Sequence, residues 1–170
     1  MRTTERLNNY PLHESMRGYF GLELYKAMVG SPDIYLLTGD LGYGMLTPHQ
    51  EDLTNFINCG TSETAMIGMA TGLAQEGKRP FTYTISSFYM RAAEPIALYI
   101  AREKLPVILV GSGRDDDYKH DGPSHNAALT QDYMKLIGIK SYYPKEKEEI
   151  ADLMQELLKI NEPVFVSLRR

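Results

Sequence analysis

The chain has 170 residues, 43% of them hydrophobic, with a formal net charge of −4 and a single cysteine. That length favours one domain around one sizeable core, and the acidic balance offers no basic stripe for a phosphate backbone, which excludes nucleic acid as a partner. No apolar run approaches a bilayer span, MRTTERLNNY lacks a signal-peptide core and Cys59 alone forms no internal disulfide, so a cytoplasmic protein without membrane contact is expected.

In chain order, ESMRGYFGLELYKAMVG predicts an amphipathic helix ended by Gly30 and the breaker Ser31-Pro32, and DIYLLTGD a short buried strand. TSETAMIGMATGLAQEG reads as a helix that stops at Gly77, followed by PFTYTI, β-branched and aromatic enough for a strand. SFYMRAAEPIALYIAREK reads as helical with Pro95 as a kink or break, PVILVGSG as a second apolar strand, and residues 112–128 as a polar loop. The rhythm then repeats: helix TQDYMKLIG, strand IKSYYP, amphipathic helix KEEIADLMQELLKI, strand PVFVSL. Strands separated by helices argue for an α/β fold, a doubly wound, mostly parallel sheet flanked by helices. Residues 1–170 are expected to form one domain, with no internal repeat, linker or low-complexity segment.

In such sheets ligands bind beyond the carboxyl ends of the strands, where TGDLGYGML, TISSF and GSGRDDDYKHDGPSHNA are expected to gather. Glu63 opens a helix at this edge. Its plain reading is an acid stabilised by the positive end of a helix, worth about 0.3–1 kcal/mol. The residues that follow, Ala65, Met66, Ile67, Met69, Ala70, Leu73 and Ala74 with Gly68 and Gly72, leave no wet face. A helix packed on every side would desolvate the carboxylate and raise its pKa, which is a functional profile. Arg114 to Lys119 read as a solvated surface loop, and three consecutive acids, Asp115, Asp116 and Asp117, do not readily face one ion; no metal site is expected in this chain.

GTSETAMIGMATGLAQEGKRPFTYTISSFYMRAAEPI followed by DGPSHNAAL resembles the pyrimidine-binding domain of the transketolase family of thiamine diphosphate enzymes, which includes the deoxyxylulose-phosphate synthases. The resemblance runs from Arg17 to Arg170, and the acid, the Phe-containing segment and the Asp-Gly-Pro-Ser-His loop carry it together.

The resemblance implies roles. Glu63 matches the glutamate that hydrogen-bonds the cofactor's aminopyrimidine ring and shifts it to the imino tautomer, which activates the thiazolium carbon. Phe88 matches the ring-stacking aromatic, although ordinary core is the alternative for such a residue, and Ile85 stands where transketolases usually carry another aromatic. Asp121 matches a residue that recognises a sugar hydroxyl, and His125 one that assists proton transfer at a carbonyl or hydroxyl, for which an imidazole is suited. Arg17 and Arg170 fall at phosphate-binding positions, where a guanidinium grips with paired hydrogen bonds, or else are surface charges.

Departures accompany the match. Gly113 falls where the family presents a further substrate histidine, and Gly44 replaces a serine that helps hold the sugar phosphate. The family's diphosphate and Mg²⁺ site needs a Gly-Asp-Gly motif with an Asn downstream, whereas Gly39-Asp40 continues with Leu41. The resemblance therefore implies a split enzyme: a partner chain carries the diphosphate domain and binds Mg²⁺, the family's C-terminal domain is absent, and an α2β2 assembly is expected. The implied activity is transfer of a two-carbon ketol unit between sugar-like substrates. A subunit of a 2-oxo-acid decarboxylase or dehydrogenase, or a non-catalytic partner subunit, stands as the alternative.

Overall fold

The computed structural model describes residues 2–170. Its strands are β1 (Ile34–Thr38), β2 (Phe56–Asn58), β3 (Arg79–Ile85), β4 (Ile108–Ser112), β5 (Lys140–Tyr142) and β6 (Val164–Leu168). They pair in the order β2-β1-β3-β4-β6-β5, every pair parallel. The α-helices are α1 (Arg2–Asn8), α2 (Met16–Gly30), α3 (Thr47–Asp52), α4 (Glu63–Gln75), α5 (Ala93–Pro95), α6 (Ala128–Leu136) and α7 (Ile150–Leu157). This is the doubly wound α/β architecture that the alternating pattern predicts.

A parallel sheet requires crossovers, and these cover both faces, so its strands are apolar on both sides. Leu36, Phe81, Ile108, Val164 and Val166 pack under α2 and α7 with Phe20, Leu24, Ile150 and Leu157. Their neighbours Leu37, Leu109 and Phe165 face the other way, onto Met66, Ile67 and Ala70 of α4 and Met134 of α6. No helix among the described residues is long and apolar enough to cross a membrane.

Several elements differ from the sequence reading. β2 has three residues, and α1 and α3 have seven and six, too few for a hydrophobic period to register. The stretch expected as one kinked helix is three kinds of helix in succession: a 3₁₀ helix over Ser86–Ala92, α5, and a π-helical turn over Ile96–Ala101. Proline ends α5 before the chain widens, consistent with its missing N–H. α4 stops before Gly77, whose φ of 75° is the left-handed turn that glycine adopts without strain.

α1 and α3 are tied to the domain by a polar and aromatic cluster. Arg6 donates to Asp52 at 2.8 Å and to Glu51 at 2.7 Å, and the Tyr25 hydroxyl donates to Asp52 at 2.9 Å. His49 of α3 is fully buried and meets the Tyr25 ring edge-on, with centroids 5.3 Å apart. Burial pushes its imidazole down to about 3 and the Tyr25 phenol up to about 12. Because His49 is more readily protonated in the unfolded chain, its contribution to stability is whole above the ordinary value of 6.5 and is lost as the pH falls toward 3. Urea unfolding at pH 7, 5.5 and 4 is expected to show a decline, of which His49 supplies up to about 1.4 kcal/mol per pH unit. His49→Phe should flatten that decline; an unchanged slope would refute the assignment.

Candidate active site at the carboxyl edge of the sheet

β1 and β3 lie side by side, and the chain leaves them in opposite directions, β1 toward β2 and β3 toward β4. The crevice beyond their carboxyl ends is the switch point where open α/β sheets take ligands. Glu63, the first residue of α4, is placed there at 3% exposure. The Thr84 hydroxyl at the end of β3 donates to its Oε1 at 3.4 Å. Arg91 Nη1 donates to both of its oxygens, at 3.0 and 3.1 Å. The expected desolvation is present, but a guanidinium, not an apolar wall, meets the carboxylate.

The expectation of a helix packed on every side is also corrected. Met66, Ile67, Ala70 and Ala74 are buried, while Ala65, Gly68, Met69 and Gly72 form an exposed face of α4. A β-carbon added at Gly68 or Gly72 would meet nothing within 4 Å. The pattern is uniformly apolar but the burial is one-sided, because only one side of the crossover helix rests on the sheet.

The 3₁₀ helix explains how Arg91 reaches Glu63. At three residues per turn, side chains at i and i+3 eclipse. Phe88 and Arg91 share one face accordingly, with the guanidinium carbon 3.8 Å from the ring centroid. The opposite face is anchored: Tyr89 is fully buried, with its hydroxyl 2.8 Å from the Thr82 hydroxyl and donating to the carbonyls of Thr82 and Val110. Ser86 starts the turn by donating to the Gly113 carbonyl at 2.6 Å. Ile85 closes the wall at the end of β3, 8% exposed.

From Phe88 the site continues through rings. His125 lies edge-on to Phe88 with centroids 5.0 Å apart, and Ser124 Oγ is 2.9 Å from its Nδ1. Tyr118 is the next ring, 6.1 Å from His125. Arg17 donates to the Tyr118 hydroxyl at 2.9 Å and to Ser112 Oγ at 3.3 Å, and the Arg170 guanidinium lies 5.2 Å from the Tyr118 ring centroid. Arg17, Tyr118, Ser112, Tyr83 and Ile85 line a cavity of about 330 Å³. The structure thus brings Glu63, Phe88, His125, Arg17 and Arg170 along one line of contacts. Asp121 stands apart on the rim, exposed, with its carboxylate 3.2 Å from His120.

Two residues of this line, Arg91 and Tyr118, escaped the sequence reading. Arg91 sat in a stretch read as a helix kinked or broken at Pro95, where its eclipse with Phe88 is invisible. Tyr118 packs over Gly113, where an added β-carbon would stand 2.3 Å from its ring; a phenol fills the space over the glycine. The solvated-loop reading of Arg114 to Lys119 holds for the exposed Asp115, Asp116 and Lys119 and is corrected at Arg114, Asp117 and Tyr118. Arg114 is 7% exposed and donates to the Ser167 carbonyl, while Asp115 and Asp117 pair with Arg169 at 3.4 Å each. Among the described residues no group of three or more His, Cys, Asp or Glu side chains could hold a metal ion.

Residues 14–170 match the family model described as transketolase, pyrimidine binding domain. The chain is similar to 1-deoxy-D-xylulose-5-phosphate synthase 1 of Geobacter sulfurreducens, 26% identical over 171 aligned residues, covering 99% of this chain and 27% of the relative. It is similar to a 6-deoxy-6-sulfo-D-fructose transketolase subunit of Clostridium sp. strain MSTE9, 31% identical over 116 residues, covering 67% and 36%. Among solved structures, a split gene transketolase described as an inactive beta4 tetramer superposes with a TM-score of 0.77 at 25% identity, covering 92% and 51%. Transketolase from Campylobacter jejuni shares the fold, with a TM-score of 0.80 at 19% identity, covering 99% and 29%. The chain thus spans about a quarter to a half of the length of these proteins.

The seat of the 3₁₀ helix depends on a bare backbone in β4. A β-carbon at Gly111 would stand 2.4 Å from Ser86 Oγ and 2.9 Å from the Phe165 ring. Gly111→Ala is expected to destabilise the fold by about 1–3 kcal/mol and to disturb the Phe88 and Arg91 amide signals in NMR spectra. Wild-type stability and spectra in the variant would disprove this dependence.

Proposed function

Since this chain belongs to the transketolase pyrimidine-binding domain family over residues 14–170, we propose that it is the pyrimidine-binding subunit of a split, cytoplasmic, thiamine diphosphate-dependent enzyme that transfers a two-carbon ketol unit between sugar-like substrates. The observation that carries the reading is a 3% exposed carboxylate, Glu63, set beside an aromatic face, Phe88, and joined to it by one guanidinium.

The residues suit an aminopyrimidine. A side chain at position 39 would approach Thr84 to 3.1 Å and Glu63 Oε1 to 3.6 Å, so the bare backbone of Gly39 keeps the approach to the carboxylate open. Glu63 would hold a proton at the ring nitrogen, with Phe88 against the ring and Ile85 beside it. When bound, thiamine diphosphate supplies the electron sink for carbon–carbon bond chemistry. Its diphosphate and Mg²⁺ are assigned to a separate partner chain in an α2β2 assembly. That assignment draws on the similarity to a transketolase subunit and to a split gene transketolase.

Toward the substrate, His125 moves a proton at an oxygen. With Nδ1 engaged by Ser124, Nε2 is the exchanging nitrogen in this reading. Asp121 takes a hydroxyl at the rim, and Arg17 and Arg170, which flank Tyr118, take the anionic end of a phosphorylated or otherwise acidic sugar.

Calorimetric titration of thiamine diphosphate with Mg²⁺ tests the reading: binding to this chain co-expressed with its partner but not to the chain alone is expected, and no binding to either refutes it. In the complex, Glu63→Gln should lower kcat by about 10²-fold or more with folding preserved. Near-wild-type turnover would remove Glu63 from the chemistry. His125→Ala should impair ketol transfer while leaving cofactor affinity unchanged; equal loss of both would make its role structural.

A further inference from the structure

Arg91 has a second relation to the site that its ion pair does not exhaust. Its guanidinium lies 3.8 Å from the Phe88 centroid and contacts both oxygens of Glu63, so one planar cation covers the aromatic face and satisfies the buried acceptor together. Those are the two surfaces that the proposed function gives to the aminopyrimidine. We propose that Arg91 is a gate on the ring seat, a resident planar cation that the ring must displace from Phe88 and Glu63 as it binds; the inference rests on the assignment of that seat under Proposed function.

The asymmetry of the pair supports displacement of the arginine. The Glu63 side chain is 2% exposed, whereas that of Arg91 is 51% exposed. Withdrawing the guanidinium rehydrates a group already half in water, while the carboxylate stays buried and needs a new donor at once. The Arg91 backbone is pinned, its carbonyl accepting from the Thr64 hydroxyl at 3.1 Å, so the movement belongs to the side chain. The 3₁₀ eclipse returns the guanidinium to the same place when the seat is released. A gate of this kind is also selective: an aromatic ring without a donor cannot replace the arginine at Glu63, and a compact cation, though attracted to Phe88, covers less of its face than a planar group does.

The test uses the chain co-expressed with its partner, the form expected to bind the cofactor, and the free ring, 4-amino-2-methylpyrimidine, titrated by NMR. Arg91→Ala is expected to bind it at least tenfold more tightly than wild type, and methylguanidinium added to Arg91→Ala is expected to compete it off. In Glu63→Gln/Arg91→Ala, which buries no unpaired charge, the gain in affinity should largely vanish. Arg91→Lys keeps a charge near Glu63 without the planar cover; should Arg91→Ala not fold, the lysine variant must bind the ring at least threefold more tightly than wild type. Measurable but equal or weaker binding in the folded Arg91 variants overturns the gate while leaving the seat intact. No ring binding in any variant overturns the seat and, with it, the gate.

Discussion

The carboxylate of Glu63, removed from water at the mouth of α4, is the constraint from which the site is built. A buried charge must be compensated or neutralised, and here the compensation comes from Arg91, 28 residues on. That pairing is possible because residues 86–92 coil as a 3₁₀ helix, and the coil holds its place because Tyr89 is bonded deep in the sheet and Gly111 leaves room for Ser86. Backbone geometry, core packing and site electrostatics are therefore a single dependency. A change in the core under Tyr89 would be felt at the carboxylate.

The same segment connects the carboxylate to the outer loop. Ser86 donates to the Gly113 carbonyl, and Ser87 to the Ser124 carbonyl at 2.7 Å. These bonds place the His125 ring against Phe88. Tyr118, folded over Gly113, gives Arg17 and Arg170 a common support. The acids beside it are engaged with Arg169 and with backbone: Asp117 accepts from the Arg114 amide at 3.0 Å as well as from the guanidinium. Two acids of this charged loop are thus neutralised by Arg169 beyond β6, and the loop turns the Tyr118 ring to the cavity beside Ser112.

Much of this was legible in the residue order. The alternation of apolar strands and helices carried the doubly wound sheet, because burial on both faces leaves a continuous apolar signature. The acid at the head of an apolar helix drew attention to Glu63, and the segment containing Phe88 and the Asp-Gly-Pro-Ser-His loop completed the resemblance to one family. Less legible were β2, α1 and α3, each too short to show a period. The exposed face of α4 was hidden too, since glycine and alanine look alike whether they meet a sheet or open space.

By itself, then, the sequence determined the fold class, the family and the position of a carboxylate near the binding edge, for those follow from periodicity and from motifs contiguous along the chain. Only the tertiary structure decided what the carboxylate faces, which ring covers Gly113 and which residues of the acidic loop are buried. The reason is physical: Arg91 reaches Glu63 through a change from 3.6 to three residues per turn, and Arg114 reaches Ser167 across 53 positions. Contacts set by helix pitch and by chain return leave no pattern in neighbouring letters.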